Sequence, residues 1–263
     1  MKSSDTYSSV LKYVSNVKFS IGLGLLFFLL AFFPVRFSDI TLPVVTVSAI
    51  IFLSLPATLS LLQEFSIRRT ILGVGLISAF ALSIETIGLY THFPYSAFTY
   101  SDALGPKLFM LTPLVVFFAF TPLVLGGLRI ASVAIQKTNI TQLRSQYIYK
   151  LVFLAALIIV GIDLLLDPVV VYLGYWIWAS PGFYYGIPFV NFLGWLFSAI
   201  LAILIYVRVF GLKTAKFQEV SFVYSVWFWA GAAFFAQLWI PFILGLVFLG
   251  WYYSKYAQFY DNL

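Results

Sequence analysis

Three carboxylates, Glu85, Asp163 and Asp167, stand inside long stretches of apolar sequence, where ionisable side chains are rare. A charged side chain at the centre of a bilayer costs about 2.5–3.5 kcal/mol on insertion scales, so it usually has a function. Two neighbouring carboxylates in a medium of low dielectric cannot both ionise easily, so one should keep its proton and act as a general acid. The trio predicts acid–base chemistry, with a hydrogen-bonded helix contact or a helix cap as the structural alternative.

The cysteine and histidine content narrows this chemistry, because the chain has no cysteine and one histidine, His92. A disulfide, an iron–sulfur cluster, a haem thiolate and a nucleophilic cysteine are therefore excluded. A histidine-rich di-iron site is excluded too, and zinc would have to rely on carboxylates and a single histidine. There is no P-loop, no dinucleotide fingerprint and no basic run dense enough for nucleic acid. We expect no metal, no other cofactor and no nucleic-acid partner.

The composition predicts the elements that must position the carboxylates. The 263 residues are 62% hydrophobic and 9% charged, whereas soluble domains are about 25% charged. We expect an all-α, polytopic transmembrane bundle that forms a single integral membrane domain over residues 1–263. Seven apolar stretches are predicted as spans, at 19–34, 42–62, 70–90, 108–128, 149–173, 189–207 and 220–251.

The last of these stretches is too long for one upright span, because about 20 residues cross the apolar core of a bilayer. Pro241 lies inside it and could kink or split the helix. A break near Pro241 would make eight helices, which is the alternative to seven.

The basic residues predict an orientation in the cell membrane. All but three of the 15 lysines and arginines fall in the N-terminal segment and in the second, fourth and sixth loops. The exceptions are Arg36, Lys107 and Lys255. Because cytoplasmic loops are enriched in lysine and arginine, a multi-pass protein with a cytoplasmic N-terminus and an external C-terminus is expected.

Successive spans cross the membrane in opposite directions, and this predicts that the polar groups inside them lie at the same depth. The third and fifth spans run outward, which places Glu85, Asp163 and Asp167 in the outer half of the membrane. The sixth span starts outside, so Asn191 in its first turn lies at the same depth. Asp163 and Asp167 are four residues apart and share one helix face. The convergence depends on the order of the helices and not on their absolute orientation.

Two connections next to these spans are rich in aromatic residues. Residues 172–189 carry eight aromatic side chains and no charge, and residues 92–102 carry five more aromatics counting the histidine. Such residues can form a belt at the membrane interface, or they can line a pocket whose ring faces stabilise a cation. A histidine at an interface is most often structural. The candidates for substrate binding are Asn191, Trp176, Trp178, Tyr184, Tyr100 and His92.

The same segments carry a resemblance to a known family. One half of its signature is similar to Glu85-Thr86-Ile87-Gly88, Pro94-Tyr95, Tyr100, Leu104-Gly105-Pro106 and Pro113. The other half is similar to Asp163-Leu164, Asp167-Pro168, Trp176-Ile177-Trp178, Gly182, Tyr184-Tyr185-Gly186-Ile187-Pro188, Asn191-Phe192 and Gly194-Trp195. Residues 80–196 thus resemble the membrane carotenoid-biosynthesis proteins that include bisanhydrobacterioruberin hydratase and γ-carotene 1′-hydroxylase.

The resemblance implies the cofactor-free hydration of a terminal carbon–carbon double bond in a linear carotenoid, which gives a tertiary alcohol. It implies a lipid-soluble carotenoid as substrate, with membrane lipid and other enzymes of the carotenoid pathway as partners. The residue types agree with this independently. Hydration needs an acid, a stabilised cation and a positioned water, and the carboxylates, the aromatic side chains and Asn191 could supply these roles. Glu85, Asp163 and Asp167 are the candidate catalytic residues.

Three other classes of protein remain to be weighed. A carotenoid cyclase would use the same protonation and capture the cation with an internal double bond. A proton-coupled transporter also uses buried carboxylates, but an internal repeat and broken helices would be expected. A retinal photoreceptor needs a Schiff-base lysine in its last span, and residues 220–251 contain no lysine.

Overall fold

A computed structural model describes residues 16–37, 43–136 and 144–260. It confirms an all-α polytopic bundle, in which short strands occur only in two connections of the described chain. The helices are α1 Val17–Leu30, α2 Phe32–Arg36, α3 Pro43–Ser60, α4 Ile67–Thr91, α5 Val116–Gln136, α6 Arg144–Tyr172, α7 Phe189–Phe210, α8 Val220–Phe235, α9 Trp239–Ser254 and α10 Tyr256–Tyr260. The strands are β1 Phe98–Tyr100, β2 Lys107–Leu108, β3 Thr112–Pro113 and β4 Trp176–Trp178.

Six helices of the described chain are long and apolar enough to cross a membrane, one for each of the first six predicted spans. The fourth begins at Val116 and not at residue 108 as predicted, because residues 107–113 form β2 and β3. The last predicted stretch, 220–251, forms the two shorter helices α8 and α9, so the bundle follows the alternative of eight apolar helices. Each has 16 residues, or about 24 Å. The break falls at residues 236–238, where Gln237 has a φ of 59°. Pro241 lies in the first turn of α9, where its missing N–H leaves no helical bond unmade.

The break turns the chain back, so the end of the described chain lies beside its start. The Ser20 and Tyr253 hydroxyls are 3.0 Å apart, which joins the first turn of α1 to the last turn of α9. The expectation that the two ends lie at opposite faces is therefore not met for the described residues. Lys255 joins the face that carries the basic loops. Which face is cytoplasmic stays a prediction.

A buried polar cluster holds this face together. Glu219 lies outside the predicted carboxylate trio, and its side chain is fully buried at the start of α8. It accepts a hydrogen bond from the Tyr260 hydroxyl at 2.7 Å, and its other carboxylate oxygen lies 3.7 Å from Nε of Arg129. Arg129 also donates to the Phe259 carbonyl at 3.3 Å. The cluster thus links α5, α8 and α10.

Helix α6, which carries both aspartates, packs against α5, α7, α8 and α9. Small residues allow this close approach, as is common where helices meet in membranes. A Cβ added to Gly127 of α5 would lie 2.8 Å from Cγ1 of Ile159 and 3.2 Å from the Ala155 carbonyl of α6. Helix α4, which carries Glu85, packs against α5 and α7. The carboxylate-bearing helices therefore share neighbours, and this brings their polar groups to one site.

The hairpin of α8 and α9 predicts that Lys18 and Lys255 lie on one side of the membrane and Arg36 on the other. The absence of cysteine gives a clean background for single-cysteine variants. With an impermeant maleimide, Lys18→Cys and Lys255→Cys should label under the same condition, either in intact or only in opened cells. Arg36→Cys should label under the opposite condition. Labelling of Lys255→Cys together with Arg36→Cys would contradict the hairpin.

Candidate active site

Two aromatic connections pair to form a roof over the polar groups, and we call strands β1 and β4 the aromatic roof. The strands are antiparallel, with Phe98 opposite Trp178 and Tyr100 opposite Trp176. Ring centroids of these pairs are 5.0 and 5.8 Å apart. Because side chains alternate along a strand, all four rings share one face, and the exposed Ile177 lies on the other.

The four rings of the roof line a small cavity together with Glu85, Asp167 and Asn191. The space open to the centre of a water molecule is about 20 Å³. A cavity needs about 10–15 Å³ by this measure to hold one water. The cavity therefore has room for a water-sized molecule between carboxylates and aromatic rings.

The two aspartates are bridged by one amide. Asn191 Nδ2 donates to Oδ2 of Asp167 at 2.6 Å and lies 3.4 Å from Oδ2 of Asp163. All three side chains are buried. The remaining oxygens, Oδ1 of Asp163 and Oδ1 of Asp167, have no partner among the described residues. The spacing of four residues on α6 explains why both aspartates reach the same group on α7.

Glu85 has different surroundings, because its Oε2 accepts a hydrogen bond from the Tyr100 hydroxyl at 2.9 Å. Tyr100 is in turn fixed at the end of β1, where Lys107 Nζ donates to its carbonyl at 2.8 Å and to Asp102 at 2.7 Å. The hydrogen bond and the charge of Lys107 lower the pKa of Asp102. The roof therefore supplies a hydroxyl donor to a carboxylate of the bundle.

Tyr95 lines the cavity although its role was not predicted. Its ring fits between two glycines, since a Cβ on Gly88 or on Gly194 would lie 2.9 or 2.6 Å from ring carbons. Its hydroxyl is 2.8 Å from Oγ of Ser198. Both Gly88 and Gly194 belong to the motifs that resemble the carotenoid-biosynthesis family. A contact between those motifs is the sequence signal that could have placed Tyr95 in the site.

Phe98 and Trp195 also line the cavity and were not among the predicted site residues. Trp195 lies four residues after Asn191 on α7 and so shares its helix face. That spacing was visible in the sequence. Phe98 reaches the cavity only because β1 pairs with β4. Each of these strands has three residues, which is too short for a sequence pattern to predict the pairing.

Tyr184 does not line the cavity but supports the helix that carries the aspartates. Pro168 has no N–H, so the carbonyl of Leu164 one turn earlier loses its helical hydrogen bond. The Tyr184 hydroxyl donates to that carbonyl at 2.8 Å. The structure thus places Tyr184, one of the candidates for substrate binding, beside α6 as a substitute donor.

His92 also lies away from the cavity. It ends α4 with a φ of 65°, its backbone N–H bonds the Gly88 carbonyl, and its side chain is exposed.

Asp163 is fully buried and reaches the site through Asn191 without lining the cavity. Of the nine predicted site residues, the cavity brings together Glu85, Asp167, Asn191, Tyr100, Trp176 and Trp178.

Two further donors lie in the roof, because the indole N–H groups of Trp176 and Trp178 are buried without a partner among the described residues. Within the same part of the chain, no three histidine, aspartate or glutamate side chains are arranged to hold a metal ion. The site can therefore offer proton donors, proton acceptors and aromatic faces to a bound molecule.

The fold and the site define a polytopic membrane protein with a buried carboxylate site beneath an aromatic roof. The chain belongs to the family described as carotenoid biosynthesis protein, whose profile matches residues 41–252. This confirms the resemblance seen in the sequence.

One similar protein is the bisanhydrobacterioruberin hydratase of Haloarcula japonica, which is 32% identical over 182 residues. The matched region covers 66% of this chain and 60% of the relative, so the chain spans less than two thirds of that protein. No solved structure matches the chain significantly.

The close packing of Tyr95 predicts that Gly194→Ala will disturb the site. The new Cβ would lie 2.6 Å from both the Pro94 carbonyl and the Tyr95 ring, and overpacking of this kind typically costs about 1–3 kcal/mol. The matched control is Gly75→Ala in α4, where nothing lies within 4 Å of the added carbon. Thermal unfolding in detergent should show a lower midpoint for Gly194→Ala alone. An unchanged midpoint would contradict the packing.

Proposed function

We propose that this protein hydrates a terminal carbon–carbon double bond of a linear carotenoid and releases a tertiary alcohol, without a cofactor. The observation that carries the proposal is the water-sized cavity between two buried carboxylates, Glu85 and Asp167, and six aromatic side chains. The name of the relative, a bisanhydrobacterioruberin hydratase, supports hydration as the reaction class.

The reaction needs a proton at one carbon of the double bond and a hydroxyl at the other. A carboxylic acid of the trio donates a proton to the CH carbon, and the π electrons form the new C–H bond. The positive charge then lies on the neighbouring tertiary carbon. The oxygen of a water forms the C–O bond, and one of its protons passes to a carboxylate. The sum is one alkene and one water giving one alcohol.

The aromatic roof suits the cationic intermediate. Ring faces carry negative charge density and attract cations, an effect worth about 2 kcal/mol or more per ring at desolvated sites. Phe98, Tyr100, Trp176 and Trp178 all line the cavity that Glu85 and Asp167 share. Carboxylates also stabilise a positive charge, and this stabilisation is largest in a medium of low dielectric.

The membrane location fits the substrate. A linear carotenoid is lipid-soluble, and its length is comparable with the apolar core of a bilayer, about 30 Å. Its end group would reach the carboxylates from the lipid, alongside the long apolar helices α4, α6 and α7. Membrane lipid and other enzymes of the carotenoid pathway are the expected surroundings.

The test is expression in a host that accumulates lycopene, followed by mass analysis of the pigments. We expect a product heavier than its precursor by one water, with an oxygen that derives from isotopically labelled water and not from labelled dioxygen. The yield should be unchanged by excess chelator and by the absence of oxygen. A new pigment of unchanged mass would instead identify a cyclase, and oxygen-dependent product would overturn hydration.

The trio should be required for turnover. We expect Glu85→Gln, Asp163→Asn and Asp167→Asn each to lower the rate by about 10²–10⁴-fold, the usual contribution of general acid–base catalysis. Glu64→Gln is the matched control, because Glu64 pairs with Lys213 away from the cavity. Rates are measured at equal amounts of folded protein, as judged by size-exclusion chromatography. Near-normal turnover in all three variants would show that the trio is structural.

A further inference from the structure

The three carboxylates of the site differ in what surrounds them. Glu85 accepts a hydrogen bond from Tyr100 at 2.9 Å. Asp163 and Asp167 instead share a single amide nitrogen, at 3.4 and 2.6 Å, and each keeps one oxygen without a partner among the described residues. One site therefore contains a carboxylate with its own hydroxyl donor and a pair of carboxylates with one donor between them.

These surroundings favour different protonation states. A hydroxyl that donates to a carboxylate stabilises its ionised form, because the bond is strongest to the charged oxygen. Two ionised carboxylates one helical turn apart would repel each other in a buried site, and a single amide cannot compensate both. A proton held between them removes the repulsion, as in other paired carboxylate sites.

We propose that the aspartate pair is the acid that protonates the alkene and that Glu85, held by Tyr100, is the base that accepts the proton of the attacking water. This assignment rests on the proposed hydration. Asp167 lines the cavity and Asp163 does not, so Asp167 delivers the proton and Asp163 shares it. Tyr100 is a positioning residue, since it acts through the Glu85 carboxylate.

The cycle balances within the site. The pair loses one proton to the CH carbon, the tertiary carbon gains the water oxygen, and Glu85 gains the proton that breaks from that water. After the alcohol leaves, Glu85 holds one proton too many and the pair one too few. Glu85 and Asp167 line the same water-sized cavity, so a water there can carry the proton back. Asn191 donates to the pair while it is charged.

The two roles predict different behaviour in heavy water. An acid without its base can still protonate the alkene, and loss of a proton from the same carbon then returns the alkene with deuterium in place of hydrogen. Glu85→Gln should therefore make about 10²–10⁴-fold less alcohol while the recovered carotenoid still gains deuterium at the terminal CH position. Asp167→Asn should lose both alcohol formation and deuterium exchange.

Tyr100→Phe extends the test with all three carboxylates intact, so the assignment stays testable if a carboxylate variant does not fold. Loss of the hydroxyl donor should lower alcohol formation and raise the ratio of exchange to alcohol. An equal loss of both would overturn the positioning role of Tyr100. Glu64→Gln is the control variant, and we expect it to give the alcohol yield and the deuterium exchange of the wild type. Host membranes without the protein give the background, and we expect neither alcohol nor exchange there.

The outcomes separate the role assignment from the proposed function. Exchange that persists in Asp167→Asn and disappears in Glu85→Gln would reverse the roles and overturn the assignment, while hydration by the wild type would stand. Absence of both alcohol and exchange in the wild type would instead overturn the proposed function itself. Deuterium in the recovered carotenoid is located by nuclear magnetic resonance and counted by mass spectrometry.

Discussion

Lipid offers no hydrogen bonds, and this constraint decides how the polar groups of the chain are arranged. Each carboxylate on α4 and α6 has to meet a donor from another element. Asn191 of α7 serves the two aspartates, and Tyr100 of β1 serves Glu85. The backbone follows the same rule, because the carbonyl that Pro168 leaves unbonded receives the hydroxyl of Tyr184. The contacts within the site and the contact of Tyr184 with α6 thus both follow from the need of polar groups in lipid for a hydrogen-bond partner within the protein.

The same requirement explains the polar cluster at the opposite face. Glu219, Arg129 and Tyr260 are brought together from three helices, and the buried charge of Glu219 is compensated by a cation and a hydroxyl. Breaking such a pair leaves an uncompensated charge, which is strongly destabilising. The cluster closes the bundle where α8 begins and where the described chain ends. It has neither the aromatic roof nor the cavity of the site.

Much of the bundle could be predicted because its signals are local. Long apolar runs gave the first six spans, and the order of those spans was enough to place Glu85, Asp167 and Asn191 together. The division of 220–251 was less visible, because its break depends on Gln237 at a positive φ and not on Pro241. The buried position of Glu219 depends on contacts with residues 90 and 41 positions away in sequence, which no periodicity reports.

The aromatic roof could not be predicted for a related reason. Strands of three residues show too little alternation to be recognised, and the pairing joins residues 98–100 to 176–178 across two helices. The aromatic content of both connections was evident, but a belt at the interface would have had the same composition. Tyr184 and His92 illustrate this ambiguity, since they are as aromatic and as close in sequence as the roof residues and yet lie outside the cavity.

The pairing of β1 with β4 has a consequence for biogenesis. Chains are synthesised from the N-terminus, and the early parts of a protein can fold before the later parts exist. Here Glu85 and Tyr100 emerge first, the strand that completes the roof follows only after α6, and Asn191 arrives with α7. Until then the aspartates of α6 have no amide donor in the membrane. A nascent chain that ends before residue 191 therefore carries all three carboxylates and the Tyr100 donor of Glu85, but the two aspartates gain their shared amide donor only when the sixth long helix is inserted.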